Sequence, residues 1–356
     1  MIKDHFLIAD SIFFTDWNNR KVIENPDLLE DVFRQTSAVG SNVNRILAWG
    51  WLGKRKEKRN QEIMVMSHYG KKINSEYAPS LQRYCRKSLK YNQAVIIDLF
   101  CQNYAGFRNF MPFPDLFSDD PENVRRRAEW VETVLDATKD FKRIIYSVGN
   151  ELHLNLEANL KLHQQVIDIL LAHGIPFERM GIGLGFNYYT KPDMMSEQEQ
   201  LKKKIDATYS PKYGDINSKL RRSIHGCGIK DDQLINALSF FGGSSVKLYF
   251  SNDGLWTGHS DIDFHIDKKT GKVYRKNNYD ETKQCIEYIF QHKRNPATGL
   301  WGWENIHEGC YLQNGLIDIE KLKDLGRILE STKAVSDVYE SFYGCKPVNV
   351  VEYGNH

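Results

Sequence analysis

The sequence predicts an α/β fold of the (β/α)8, or TIM, barrel type, with residues 1–356 forming a single domain. Three observations predict it. Short apolar runs alternate along the whole chain with amphipathic, helix-like stretches, as parallel βαβ units do. A length of 356 residues, 41% hydrophobic and 26% charged, suits one barrel with loop insertions. No glycine-rich phosphate loop follows the first run, which sets aside a doubly wound open sheet.

The apolar runs are Phe6–Ala9, Val43–Ala48, Ala94–Phe100, Arg143–Val148, Met180–Leu184, Arg222–His225, Val246–Phe250 and Leu300–Trp303. Helix signals lie between them. Pro26 and Asp27 open Leu28–Thr36, and Asp120, Pro121 and Glu122 open Asn123–Ala137, with acidic groups at the positive end of the helix dipole. Asn155 is a candidate N-cap for Leu156–His173, which stops at Gly174 and Pro176. Asp231 and Asp232 open Gln233–Phe241, and Asp280 and Glu281 open Thr282–His292. Asp318–Leu329 is expected to run on into a final helix. Gly181, Gly183 and Gly185 lack the GxGxxG spacing and are read as part of a tightly packed strand.

The bulk numbers exclude several functions. A formal charge of +2 gives no global attraction to nucleic acid or an anionic membrane. The basic run Lys54–Arg59 is local and reads as a solvated loop. No apolar stretch is long enough for a membrane helix. The apolar run near Met1 is too short for a secretory signal and no small-residue cleavage site follows, so a cytoplasmic location is expected. The six cysteines, Cys85, Cys101, Cys227, Cys285, Cys310 and Cys345, are scattered without a CxxC pair and read as free thiols. Asp261, Asp263, His259 and His265 form a loose cluster whose spacing matches no metal loop, so no metal and no cofactor are expected.

A barrel places its active site at the carboxyl ends of its strands. The fourth run leads directly into Gly149, Asn150, Glu151, Leu152 and His153. A glutamate there can donate a proton to a leaving glycosidic oxygen if its neighbours raise its pKa, and an adjacent amide can hydrogen-bond a sugar hydroxyl. Aromatic residues gather at the other strand ends: Trp49, Trp51, Trp256, Trp301 and Trp303. Trp301 and Trp303, two residues apart, share one face of a strand, where an indole can stack on a sugar ring.

These residues resemble those of the clan A glycoside hydrolases, which include cellulases, mannanases and β-glycosidases. The Asn150-Glu151 pair ending the fourth strand matches that clan's acid/base motif. The resemblance implies further roles along nearly the whole chain. Arg45 on the second strand would support the catalytic nucleophile. His225 would face the site from the sixth strand. A tryptophan at the end of the eighth, Trp301 or Trp303, would form the sugar platform.

The seventh strand departs from the pattern. Its end reads Ser251, Asn252, Asp253 and Gly254, so direct alignment puts the amide Asn252 at the nucleophile position. Three readings stand. Asp253 is a displaced nucleophile. Alternatively the second carboxylate comes from elsewhere, first from Glu304, then from Glu308 or Asp98. In the third, no second carboxylate exists, and the protein binds glycan without cleaving it or uses a substrate acetamido group.

Structural readings stand beside the functional ones. Glu151 reads also as a structural carboxylate paired with Arg45 or His153 inside the barrel mouth. His225 reads also as a hydrogen-bonded core histidine, and Trp49 and Trp256 as loop-packing aromatics. Asn187, Tyr188 and Tyr189 after the fifth strand, and Tyr104 and Phe107 after the third, are candidate subsite residues by position alone. An aldolase or lyase barrel would need a Schiff-base lysine at the mouth, and Lys247 lies inside the seventh run instead. The expectation is therefore an enzyme acting on a β-linked oligo- or polysaccharide. Glu151 is the acid, and Asp253 or Glu304 the second carboxylate. Arg45, Trp49, Asn150, Asn187, Tyr188, His225, Asn252, Trp256, Trp301 and Trp303 bind substrate. The rival is a non-catalytic glycan-binding barrel.

Overall fold

A computed structural model describes residues 6–10, 25–48, 66–67, 72–73, 75–101, 116–150, 152, 156–182, 193–216, 219–225, 248–251, 265–266, 273–274, 279–280, 283, 287, 299–303, 319–326 and 329–346. The strands β1 (Phe6–Asp10), β2 (Val43–Leu47), β3 (Ala94–Cys101), β4 (Ile144–Asn150), β5 (Met180–Ile182), β6 (Arg221–His225), β7 (Leu248–Ser251) and β8 (Gly299–Trp303) form a closed barrel in chain order. Every pairing around the ring is parallel. The ring closes where β1 pairs with β8 along its full length, from Phe6 opposite Gly299 to Asp10 opposite Trp303. On its other side β1 meets β2 at one register position, Ala9 opposite Val43. Each expected strand is present, within two residues of its expected ends. Two short antiparallel hairpins, Met66–Ser67 with Lys72–Ile73 and His265–Ile266 with Val273–Tyr274, stand apart from the barrel sheet.

The helices are α1 (Pro26–Ala38), α2 (Tyr77–Lys90), α3 (Pro121–Thr138), α4 (Leu156–Ala172), α5 (Asp193–Tyr213), α6 (Ile319–Lys323) and α7 (Glu330–Tyr343). Start and stop chemistry is as the sequence predicts in α3 and α4. The Asp120 carboxylate caps α3 by accepting from the Glu122 and Asn123 amides at 3.0 and 3.3 Å. After α4, Gly174 takes φ +73°, and the Ile175 amide turns back to the Leu170 carbonyl at 2.9 Å.

Three helical features differ from expectation. Helix α2 was not expected. Its buried stripe of Tyr77, Ser80, Leu81, Tyr84, Cys85 and Ser88 mixes hydroxyls with apolar groups, which hides the helical period. Helix α5 was not expected either, because its buried stripe of Leu201, Ile205 and Tyr209 is narrow and set among charged residues. The single helix expected from Asp318 is broken after Lys323. The Asp324 carboxylate accepts from the Gly326 amide at 3.1 Å, and Gln35 of α1 spans the break, bonding the Leu322 carbonyl at 3.1 Å and the Leu325 amide at 2.9 Å. Of the two remaining expected helices, Gln233–Phe241 lies outside the described residues, while Lys283 and Glu287 within Thr282–His292 are helical. Cys85 and Cys345 are free thiols. Burial pushes the Cys85 thiol far above its ordinary pKa.

Side chains divide by strand parity. Val95, Ile97 and Leu99 of β3, with Ile144, Tyr146 and Val148 of β4, pack outward into the strand–helix core with Phe33, Tyr77, Tyr84 and Trp130. Ile96, Asp98, Ile145 and Ser147 occupy the alternate positions, inside the barrel wall. Within the helical layer, His163 of α4 is fully buried. Its Nδ1 donates to the Asn159 carbonyl at 2.7 Å, and its Nε2 has no partner among the described residues. Burial holds its pKa down to about 4, against an ordinary value of 6.5, and outweighs the upward pull of the carbonyl.

The unfolded chain therefore takes up a proton below about pH 6.5 that the folded chain refuses until about pH 4. Stability from this residue is intact above pH 6.5 and falls by about 3 kcal/mol as pH drops through that window. Urea midpoints measured from pH 7 to pH 4 are expected to fall more steeply for the wild type than for His163→Leu. Parallel slopes would contradict this assignment.

Candidate active site

Parallel strands in a closed ring bring all their carboxyl ends to one rim. Asn150 ends β4 opposite Cys101 of β3, His225 ends β6 opposite Ser251 of β7, and Trp303 ends β8 opposite Asp10 of β1. Trp301 lies two residues below, opposite Ile8. Three of the expected site residues, Asn150, His225 and Trp303, thus share one edge of the barrel, with Trp301 below it. Trp49, Glu151, Asn187, Tyr188, Asn252, Asp253, Trp256 and Glu304 lie outside the described residues. So do Glu308, Tyr104, Phe107 and Tyr189.

Arg45 is the expected residue whose surroundings are most fully defined. Its Nε donates to Asp98 Oδ2 on the neighbouring strand at 2.7 Å. The Asp98 side chain is 1% exposed and that of Arg45 13%. The ion pair is therefore withdrawn from water, with the guanidinium on its more open side. Asp98 Oδ1 is buried and accepts no hydrogen bond from the described residues. The sequence marks Asp98 as a possible second carboxylate, but its pairing with Arg45 was missed. Strand parity was the available signal: position 45 of β2 and position 98 of β3 both point into the barrel, and each is the one charge in its run.

The wall around this pair is tightly built. The Ala48 amide donates to the Asp98 carbonyl at 2.9 Å, carrying the β2–β3 ladder one step beyond β2. The Tyr77 hydroxyl donates to the Ala48 carbonyl from α2, and the Trp130 indole donates to the Leu99 carbonyl from α3 at 3.0 Å. Both are fully buried. On β4, a Cβ on Gly149 would stand 2.6 Å from the Phe100 carbonyl oxygen, so only glycine lets β3 and β4 approach this closely just before Asn150.

No group of three or more His, Cys, Asp or Glu among the described residues is arranged to hold a metal ion. Of the loose Asp and His cluster, His265 begins the second strand pair, and His259, Asp261 and Asp263 lie outside the described residues. No helix among the described residues is long and apolar enough to cross a membrane.

No protein-family model and no curated protein sequence matches the chain. Solved structures resemble it over most of its length. The endo-1,4-β-mannanase of Rhizomucor miehei superposes with a TM-score of 0.55 at 10% identity, covering 95% of this chain and 96% of that one. A variant of GH5_18 from Bifidobacterium longum, in complex with Manβ1-4GlcNAc, gives a TM-score of 0.52 at 12% identity over 97% of this chain and 80% of that one. A trimodular GH5_4 endoglucanase gives 0.55 at 11% identity over 93% of this chain, which spans 60% of that longer protein. At these identities the likeness is one of architecture: the chain has the (β/α)8 barrel fold of the family 5 glycoside hydrolases.

Proposed function

We propose that the protein is a glycoside hydrolase acting on a β-linked oligo- or polysaccharide, with Glu151 as its general acid. The observation that carries this reading is the position of Asn150, the last residue of β4 at the carboxyl rim, with Glu151 next in sequence. Strand parity supports it: Ile145, Ser147 and Gly149 hold the inward positions of β4, and 151 is the next position of that parity. The named neighbours, a mannanase, an endoglucanase and a barrel bound to Manβ1-4GlcNAc, support a β-linked glycan as the substrate class.

In this reading Glu151 protonates the leaving oxygen, and Asp253 or Glu304 acts as nucleophile or base. The Arg45 guanidinium and His225 orient that second carboxylate, and a nearby cation keeps it ionised. Asn150 contacts the sugar beside the cleaved bond. Trp301 and Trp303 stack on its ring, with Trp49, Asn187, Tyr188 and Trp256 lining further subsites. Acid, base and positioning suffice for this chemistry, so the reading calls for no cofactor.

The second reading is a glycan-binding barrel without catalysis. It is favoured by Asn252, an amide that directly follows the last residue of β7.

The test is hydrolysis of aryl β-glycosides and β-linked oligosaccharides by the wild type, Glu151→Gln and Asp253→Asn. Glu151→Gln is expected to lower the rate by about 10²–10⁴-fold. A rate lost in Asp253→Asn as well makes Asp253 the second carboxylate, and a retained rate passes the role to Glu304. A wild type that binds glycan and cleaves nothing supports the binding barrel and rules out the hydrolase.

A further inference from the structure

We propose that Asp98 is a positioning residue for the reaction, fixing the Arg45 guanidinium beneath the rim so that it can serve the second carboxylate. The assignment rests on the hydrolase reading above. The register carries it. Arg45 lies opposite Ile96 and Leu47 opposite Asp98, so Asp98 is two residues nearer the rim than the Arg45 backbone. Arg45 therefore reaches along the strand direction to donate its Nε–H to Asp98 at 2.7 Å. Anchoring Nε sets the plane of the whole guanidinium, which otherwise swings on a long, rotamer-rich stem.

This role differs from its rivals in two respects. A buried ion pair adds little net stability over apolar residues of similar volume, so packing alone gives no reason for these charges at 1% and 13% exposure. Asp98 also stands below the strand ends, where a barrel places its reacting groups. It is level with Ser147, three residues before the end of β4, about 10 Å of strand rise below Asn150.

The experiment compares kcat, KM, the pH–rate profile and the melting temperature of the wild type, Asp98→Asn, Arg45→Lys and the double variant, with Glu151→Gln as the inactive reference. Asp98→Asn is expected to lower kcat by about 10–100-fold, because a charge misplaced by about 1 Å costs that much, with KM nearly unchanged. Arg45→Lys keeps the cation but loses the Nε–H fork, so it should fall similarly, and the double variant should be no worse than either single one.

The acid limb of kcat/KM gives the discriminating sign. If Asp98 fixes Arg45, its loss lets the cation move away, and the limb shifts to higher pH. A limb shifted to lower pH would mean that Arg45 stays in place without Asp98, which overturns the proposal. A lowered melting temperature with wild-type kcat per folded molecule also overturns it, by making the pair purely structural. Should Asp98→Asn fail to fold, the kcat of Arg45→Lys decides alone: a wild-type value overturns the proposal. A wild type without Glu151-dependent turnover overturns the hydrolase reading, and this role with it.

Discussion

Trp130→Ala is expected to lower the unfolding free energy by about 3–5 kcal/mol. The indole is fully buried between α3 and the outer face of β3, with its ring centroid 5.0 Å from that of Tyr77 at an angle of 46°. Truncation opens a cavity the size of a bicyclic ring in a wall braced by α2, α3 and β3. It also removes the hydrogen bond to the Leu99 carbonyl, leaving that acceptor without its side-chain donor. Trp130→Phe separates the two effects, since it keeps most of the packing and loses the N–H. It should cost about half as much or less, because the lost hydrogen bond is worth about 1–3 kcal/mol. Chemical denaturation of the three proteins measures this. An alanine variant within about 1 kcal/mol of the wild type would mean that the wall collapses freely around the gap, contrary to the close packing described here.

Arg45→Met is expected to cost about 3–5 kcal/mol, because it leaves the Asp98 carboxylate buried without its counter-charge. Asp98→Leu removes the carboxylate to which Arg45 Nε donates and should also destabilise the fold. Combining the two should recover much of the loss, since a well-packed apolar pair replaces a desolvated ionic one. Denaturant midpoints for the four corners of this cycle give a coupling energy. Strict additivity would show that Arg45 and Asp98 do not depend on each other. The cycle is read from unfolding alone, so it holds whether or not the protein cleaves a glycan.

Much of the barrel is written locally. Strands buried on both faces are continuous apolar runs, so Ala94–Cys101 and Ile144–Asn150 stand out from their polar surroundings. Helices α3 and α4 announce themselves through Asp120 and Gly174, residues whose roles need only their neighbours. What was illegible depends on partners far away in the chain. The break between α6 and α7 is bridged by Gln35, from the other end of the sequence. Helix α2 buries serine and tyrosine hydroxyls that find acceptors only in the folded state: Ser88 donates to the Gln93 carbonyl and Tyr77 to that of Ala48.

The same division runs through the site. The rim positions of Asn150, His225 and Trp303 were legible because a strand end is a rim position in any parallel barrel. The partner of Arg45 was not, because it takes the β2–β3 register to show which carboxylate stands beside it.

The seam between β1 and β8 has a consequence for how the molecule is made. β1 emerges first during synthesis, yet the strand that matches it residue for residue is the last of the eight, with almost the whole chain between them. Until Gly299–Trp303 are available, the sheet is an open arc with two bare edges, each able to template pairing with another chain. Such distant pairing is slow, because the entropy of drawing the ends together is lost before the contacts are gained. Chains that stop short of β8 should therefore be hazards for aggregation, and ring closure should divide soluble products from insoluble ones.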